Sequence, residues 1–513
     1  MSNDFPSVPW PSRFAAAGLV AAIAAASMRD ESPSADTTAA PTPMPRATPS
    51  RGPILLPDQF SASDGDASAR SDPRIATGIA FVELHLAQET PRGRGVMMGH
   101  VEAGNEYLPR IDSDFGAVRF LTPRASRRAR FSKISGHADA TARLIYSPTG
   151  LAPGVDQVLL LNNWEWIGDF GLRVGSLEPP TAAGCRVMTH SWAFSSGTPD
   201  AMVLRRLDYL IEHENVIVVS GVENGGHSAA PGLIASAYNG IAVGVTRRSS
   251  SGTGTQVDGV GRCKPELVGD MSRTSYATPI VAAVAARLVE AANRRALFPP
   301  TDLGDRAGDV LRVEVIKAAM LAGADKSVGF EPAEGSPLDP HHGAGAVRFD
   351  RSLEVLWSGP VPRPAAGTRR GLIADAVAQG QPTPIDRLAG WDYRAIEPGG
   401  VVIYDMTVPV ALKQLSIAVV WNRHVDGWDL INPMMEADRL APLPLADVDL
   451  RLIRPTREHG NTIVARSTSS VDNLEHIHLR SVQPGEYRID LRRKDDLPMT
   501  EHVAIAWWSQ VGE

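Results

Sequence analysis

The chain has 513 residues, 43% of them apolar and 21% charged, which is enough for more than one globular domain with a real core. A net charge of -7, with no lysine/arginine stripe interleaved with aromatics, argues against a nucleic-acid partner; the basic run from Arg124 to Arg130 reads as a solvated loop. The two cysteines, Cys185 and Cys263, lie far apart without metal-ligand spacing, and whether they pair stays open.

Phe14 to Met28 is an alanine-dominated apolar run behind a single positive charge, Arg13. It reads either as a secretory signal, implying a secreted or periplasmic protein, or as a short helix or tail of a cytoplasmic one. It is too short to span a bilayer, and no later segment reads as an integral membrane span. Residues 31–57 are rich in Pro, Thr, Ser and Ala, so residues 1–60 are expected to be an apolar segment plus linker, and 61–92 a lead-in containing one short apolar element, Gly78 to Leu86.

GRGVMMGHVEAG (Gly93 to Gly104) then reads as a buried strand closed by a glycine turn, and Ser135 to Ile145 as the start of a small helix. Val158 to Leu161 and Arg186 to His190 are further buried strands. Between Asp200 and Glu214, helical spacing puts Met202, Val203, Leu207, Leu210 and Ile211 on one face. VIVVSG (Val216 to Gly221) and GIAVGV (Gly240 to Val245) are again β-runs. Apolar strands alternating with helices predict an α/β fold with a doubly wound, mostly parallel sheet covered on both faces.

KPELVGDMSRTSYATPIVAAVAAR (Lys264 to Arg287) sets Ser275 between a short extended run and a long Ala/Val-rich helix, with Pro279 expected in its first turn. A hydroxyl there lies beside unpaired backbone N–H groups and the positive end of the helix dipole, which stabilise developing negative charge. On this stretch alone Ser275 reads equally well as a helix cap. An amphipathic helix is predicted over Val310 to Ala322 and a last helix within Gly343 to Leu356, which closes a domain at 93–358; a linker follows at 359–390. From about Trp391 the pattern changes to short alternating runs, VVIYDMTV, QLSIAVVW, DVDLRLI, EHIHLRSV, GEYRIDLR and HVAIAWW, predicting an all-β, jelly-roll-like sandwich over 391–513.

RTSYATP resembles the nucleophile segment of the subtilisin-like serine proteases, G-T-S-x-A-x-P after K-P-D-x-x-x-P-G: Thr274, Ser275, Ala277 and Pro279 match, and Arg273 replaces a glycine. Three more segments resemble the same family in the same order. VIVVSGVENGG is similar to its strand ending in G-N-x-G, which implies that Asn224 donates to an oxyanion alongside the Ser275 N–H; on residues alone this is an Asn in a turn, and Glu223 stands where the family has glycine. GHADATARLIYSPTGLAPG resembles H-G-T-H-V-A-G followed by G-V-A-P, which makes His137 the general base, although only His137 and Ala142 of the first half remain. GRGVMMGHVEAG aligns without a gap on G-K-G-V-x-V-A-V-I-D-T-G, placing Glu102 where the family has aspartate. Asp112, in RIDSDFG, is the rival acid, but no buried strand precedes it.

CRVMTHSWAFSSG resembles V-I-N-M-S-L-G-G, along which these enzymes lay the substrate backbone, so Ser191, Trp192 and Ala193, with Ser220 and Gly221, are expected to bind substrate. LADVDLRL and VDNLEHI resemble, more loosely, the β-sandwich that follows some of these catalytic domains. The resemblance implies a serine endopeptidase acting on protein or peptide through an acyl-enzyme, with a Ser-His-Glu triad and no cofactor. Calcium at Asp447, Asp449 and Asp472 is the one metal reading, set against solvated acids at strand ends. The alternative is a catalytically inactive module that keeps the cleft and binds peptide, suggested by the eroded histidine motif, Glu102, Glu223 and Arg273.

Overall fold

The computed structural model describes residues 72–123, 133–193, 201–224, 234–246, 261–297, 304–333, 335–361, 382–426, 441–442, 444–456 and 460–512. The apolar run Phe14 to Met28, its linker, the basic run and most of the second linker lie outside the described residues.

The first half is built on one parallel sheet. Its strands are β1 (Met97–Glu102), β3 (Arg119–Leu121), β5 (Gln157–Asn162), β6 (Val187–His190), β7 (Ile217–Gly221), β8 (Ile241–Val245) and β9 (Leu267–Gly269), in the order β3-β5-β1-β6-β7-β8-β9. Two short strands, β2 (Glu106–Leu108) and β4 (Lys133–Ile134), pair separately. The near-continuous burial of β6 to β9 matches their uninterrupted apolar sequences, since helices cover both faces. Those helices are α1 (Ile79–Leu86), α2 (Gly136–Tyr146), α3 (Ala201–Glu214), α4 (Thr274–Leu297), α5 (Val313–Gly323) and α6 (Phe349–Ser358). This is the doubly wound α/β architecture expected from the sequence.

Two glycines let α4 approach the sheet. A Cβ on Gly269 would lie 2.9 Å from the Ala277 side chain, and one on Gly221 would lie 2.9 Å from Thr278 Oγ1. Pro279 is the sixth residue of α4, not part of its first turn, so it removes the N–H that would otherwise bond the Ser275 carbonyl.

α5 also departs from expectation. Every one of its residues is buried, including Glu314 and Lys317, because the second half of the chain packs on the face predicted to meet water. Lys317 Nζ lies 2.7 Å from Glu266 Oε1, and Lys264 Nζ reaches the same oxygen at 2.7 Å. One fully buried carboxylate therefore balances two ammonium groups, which is how the polar residues of KPELVG are accommodated inside.

The second half is a two-sheet sandwich. One sheet has the order β10 (Thr383–Ile385), β12 (Val401–Val408), β19 (Gly485–Arg493), β16 (Val448–Thr456) and β17 (Gly460–Ser467). The other has the order β11 (Ala389–Ile396), β20 (Glu501–Val511), β13 (Leu412–Trp421) and β18 (Leu474–Val482), and a small pair joins β14 (Val425–Asp426) to β15 (Ala441–Pro442). β13 and β20 are covered on both faces. Ile417, Val419, Trp421, Ile505 and Trp507 enter the sandwich core. The alternate residues Ala418, Val420, Ala504, Ala506 and Trp508 join the core of the α/β half. The alanines of this face let α5 lie close against β13 and β20, while α6 meets it at Trp508 through Arg351 and Glu354.

Both cysteines are buried and unpaired with each other. Among the described residues no group of three His, Cys, Asp or Glu is arranged to hold a metal. Asp472 accepts from Cys263 N at 2.9 Å and Ser469 Oγ at 2.8 Å, Asp449 meets Arg451 at 2.9 Å, and the Asp447 N–H donates to Asp495. No described helix is long and apolar enough to cross a membrane.

Candidate active site

The strand order reverses direction at β1: β5 is added on one side of it and β6 on the other. In an open parallel sheet such a reversal leaves a crevice at the carboxyl ends of the strands. A cleft lies there, lined by Glu102 and Ala103 after β1, His137 from α2, Ser191, Trp192 and Ala193 after β6, Gly221 to Asn224 after β7, and Thr274 and Ser275 of α4.

The acid and the imidazole meet because two periodicities face each other. On β1 the period of two puts His100 and Glu102 on one side, and on α2 the spacing of four puts His137 and Thr141 on one side. Ser135 caps α2 with its hydroxyl, accepting from the N–H groups of His137 and Ala138, which fixes where the helix begins. His137 Nδ1 lies 2.9 Å from Glu102 Oε2, and Thr141 Oγ1 donates to Glu102 Oε1 at 2.8 Å. Asp112 is engaged elsewhere: it is part-exposed, caps a turn through Asp114 N and pairs with Arg143 at 2.6 Å.

Burial alone would raise the Glu102 carboxyl, but the His137 charge and hydrogen bonds from His100 and His137 outweigh it and bring the pKa down to about 2. Burial likewise works against a charged His137, and so does the Arg273 charge; Glu102 reverses the balance and raises His137 above its ordinary value. Tyr276, the residue after the serine, sets its ring 5.5 Å from the His137 ring.

Ser275 is the second residue of α4, where its own N–H has no acceptor within the helix. Its side chain is buried, and Oγ makes no hydrogen bond within the described protein. Asn224 lies across the helix start: its Oδ1 accepts from Thr274 N at 2.9 Å and Thr274 Oγ1 at 3.2 Å. With the carbonyl end committed to Thr274, the NH2 end of the amide is left for the cleft. Asn224 thus caps α4 as well as lining the site. Asn224→Ala is expected to cost about 1 kcal/mol of stability through the lost cap. Asn224→Asp keeps the cap acceptor and should melt as the wild type does, which thermal melts on both variants would show.

Of the residues expected to bind substrate, Ser191, Trp192, Ala193 and Gly221 line the cleft. Ser220 does not; it lies within β7, in register with His190 and Ala242. Val222, Glu223 and Thr274 also line the cleft; behind it the acid meets Thr141 and His100, which the matched motif positions do not include. A signal for the last two was present in the sequence, as H-x-E on a strand and H-x-x-x-T on a helix.

No family model matches the chain, and no curated protein does. Solved structures do. MycP1, a serine protease described as an essential component of the type VII (ESX-1) secretion system, is 17% identical over 59% of this chain and 91% of that one, with a TM-score of 0.33. Tripeptidyl peptidase 2 is 11% identical over 74% of this chain but only 40% of that one, with a TM-score of 0.30. A cold-adapted subtilisin-like serine proteinase is 21% identical over 38% of this chain and 75% of that one, with a TM-score of 0.26. The structural neighbours therefore include subtilisin-like serine proteases. At these identities and scores no residue role carries over from them.

Proposed function

We propose that the chain is a serine endopeptidase with a Ser-His-Glu triad. The observation that carries the reading is a convergence in one cleft: a serine at a helix N-terminus, an imidazole held at 2.9 Å by a buried carboxylate, and an amide anchored beside the serine. Glu102 accepts from His137 Nδ1–H and so directs the unprotonated Nε2 toward the cleft. Ser275 Oγ attacks the peptide carbonyl as Nε2 takes its proton, and the Ser275 N–H and the Asn224 amide stabilise the oxyanion. The tetrahedral intermediate collapses to an acyl-serine, with the proton passing from His137 to the departing amine. Water deprotonated by His137 then hydrolyses the ester and returns the proton to Ser275. The substrate is an extended peptide laid along Ser191 to Ala193.

The second reading, which the comparisons do not favour, is the inactive peptide-binding module; it rests on Arg273, which stands where the resembled family has a glycine and whose charge opposes protonation of His137. A fluorophosphonate probe separates the two. The purified full chain is expected to form a covalent adduct, located on Ser275 by peptide mass spectrometry. Folded protein that binds an extended peptide yet stays unlabelled would be the binding module.

A further inference from the structure

Glu102 is met by a second histidine. His100, two residues earlier on β1 and fully buried, brings Nε2 to 3.2 Å from Glu102 Oε1, the oxygen that His137 does not use. The same nitrogen lies 3.2 Å from Thr141 Oγ1, and His100 Nδ1 lies 3.4 Å from the Tyr146 hydroxyl. Thr141 Oγ1 reaches Glu102 Oε1 at 2.8 Å and the His137 and Ala138 carbonyls at 3.1 Å each; a carboxylate can only accept, so the proton between His100 Nε2 and Glu102 Oε1 belongs to His100. Nδ1 is then the acceptor for Tyr146. Glu102 consequently receives protons on both oxygens, from His137 on one side and from His100 with Thr141 on the other.

An aspartate has one carbon fewer between backbone and carboxylate, and one rotatable bond fewer. At this position a glutamate must be held at both oxygens if Oε2 is to stay in line with an imidazole. We propose that His100 is a positioning residue for the triad: together with Thr141 it clamps Glu102 Oε1, so that Oε2 faces His137. The inference rests on the endopeptidase reading for its consequence, although the clamp itself is a matter of geometry.

Other groups around His100 do not supply the clamp. Besides Glu102, Thr141, Tyr146 and His137, its electrostatic neighbourhood includes His190 on β6, and Cys185 lies beyond Tyr146. His190 has neither ring nitrogen hydrogen-bonded among the described residues, and burial lowers it to about 3, so it stays neutral. The Arg273 charge, just before the start of α4, acts on His137.

The test compares His100→Asn with His100→Gln. Both bring a neutral amide into the same buried place, but the glutamine NH2 extends to the position of Nε2, whereas asparagine ends near that of Nδ1. His100→Asn is expected to lower kcat about 10–100-fold with KM unchanged, the scale seen when outer partners of an oriented ligand are removed. It should also raise the His137 pKa, because Glu102 loses a donor and holds the imidazolium more strongly. His100→Gln is expected to recover both. Thermal melts establish that each variant is folded, and NMR titration of isotopically labelled His137 reads the second effect without any turnover. If the two variants behave alike in rate and in titration, His100 only fills space and the proposal falls. If the wild-type chain hydrolyses nothing, the endopeptidase reading fails alone, and the His137 titrations still decide whether His100 holds the clamp.

Discussion

Ser275→Ala is expected to lower kcat for peptide hydrolysis on the order of 10⁶-fold while leaving peptide binding intact. The residue loses only an oxygen, at a buried position where Oγ has no partner to strand, so the fold should tolerate the change. Binding should survive because Ser191 to Ala193 and Gly221 to Asn224 line the cleft without help from the hydroxyl. His137→Ala should cost a similar factor, and the double variant hardly more than either single one, because nucleophile and base act as one unit. Rates from a fluorogenic peptide and affinity from the same peptide uncleaved give the two halves of the result. Equal and negligible rates in wild type and variant, with equal binding, would leave the inactive module as the account. What remains in the variant should exceed the uncatalysed rate, because the proposed oxyanion donors, the backbone N–H at position 275 and the Asn224 amide, are untouched by the substitution.

Most of the fold was legible because it depends on short-range pattern. Buried parallel strands are apolar throughout and breakers bound them, so β1 and β5 to β8 could be found one at a time. The burial of α5, β13 and β20 is not legible in the sequence for one shared reason: each is covered on both faces because the two halves of the chain pack together there. No local pattern carries that information, although the alanines of IAVV and VAIA are small enough to suggest a close neighbour. At the site, the proposed nucleophile, base, acid and amide each sit in a stretch with its own motif, and the structure brings all four to one cleft. Thr141 and His100 lie inside two of those stretches, but at positions that match nothing in the resembled family. Their importance appears only when the strand face and helix face are set opposite each other. Pro279 lies one turn deeper in α4 than its sequence suggests, since a helix start is set by the cap, here Asn224, which lies 50 residues away in sequence.

The acid should show its role most sharply in Glu102→Gln, for which kcat is expected to fall by about 10⁴-fold. The neighbours of Glu102 determine how the amide settles. Thr141 Oγ1 and His100 Nε2 both present protons to Oε1, so the glutamine carbonyl should turn toward them and its NH2 toward His137. Nδ1 must then accept, and the ring proton moves to Nε2, where the base is needed unprotonated. The pH profile should move as well. In the wild type Glu102, lowered to about 2, is ionised across the working range, and His137 is raised above 6.5. Under the proposed mechanism activity requires neutral His137, so it should climb through a pKa above 6.5. The stability from the same pair follows the opposite course. Glu102's share is complete above about 4.5 and is lost as pH falls toward 2, while His137's share is complete below 6.5 and is lost as pH rises through its raised value. The pair therefore stabilises most between those limits, on the acid side of best activity. In Glu102→Gln, burial and Arg273 still oppose the imidazolium with no carboxylate to offset them, so the acid limb of the residual activity should shift to lower pH, and the stabilisation between pH 4.5 and 6.5 should vanish. Rate–pH profiles and melts across that range test both consequences. An acid limb that stays in place would mean that Glu102 does not govern His137.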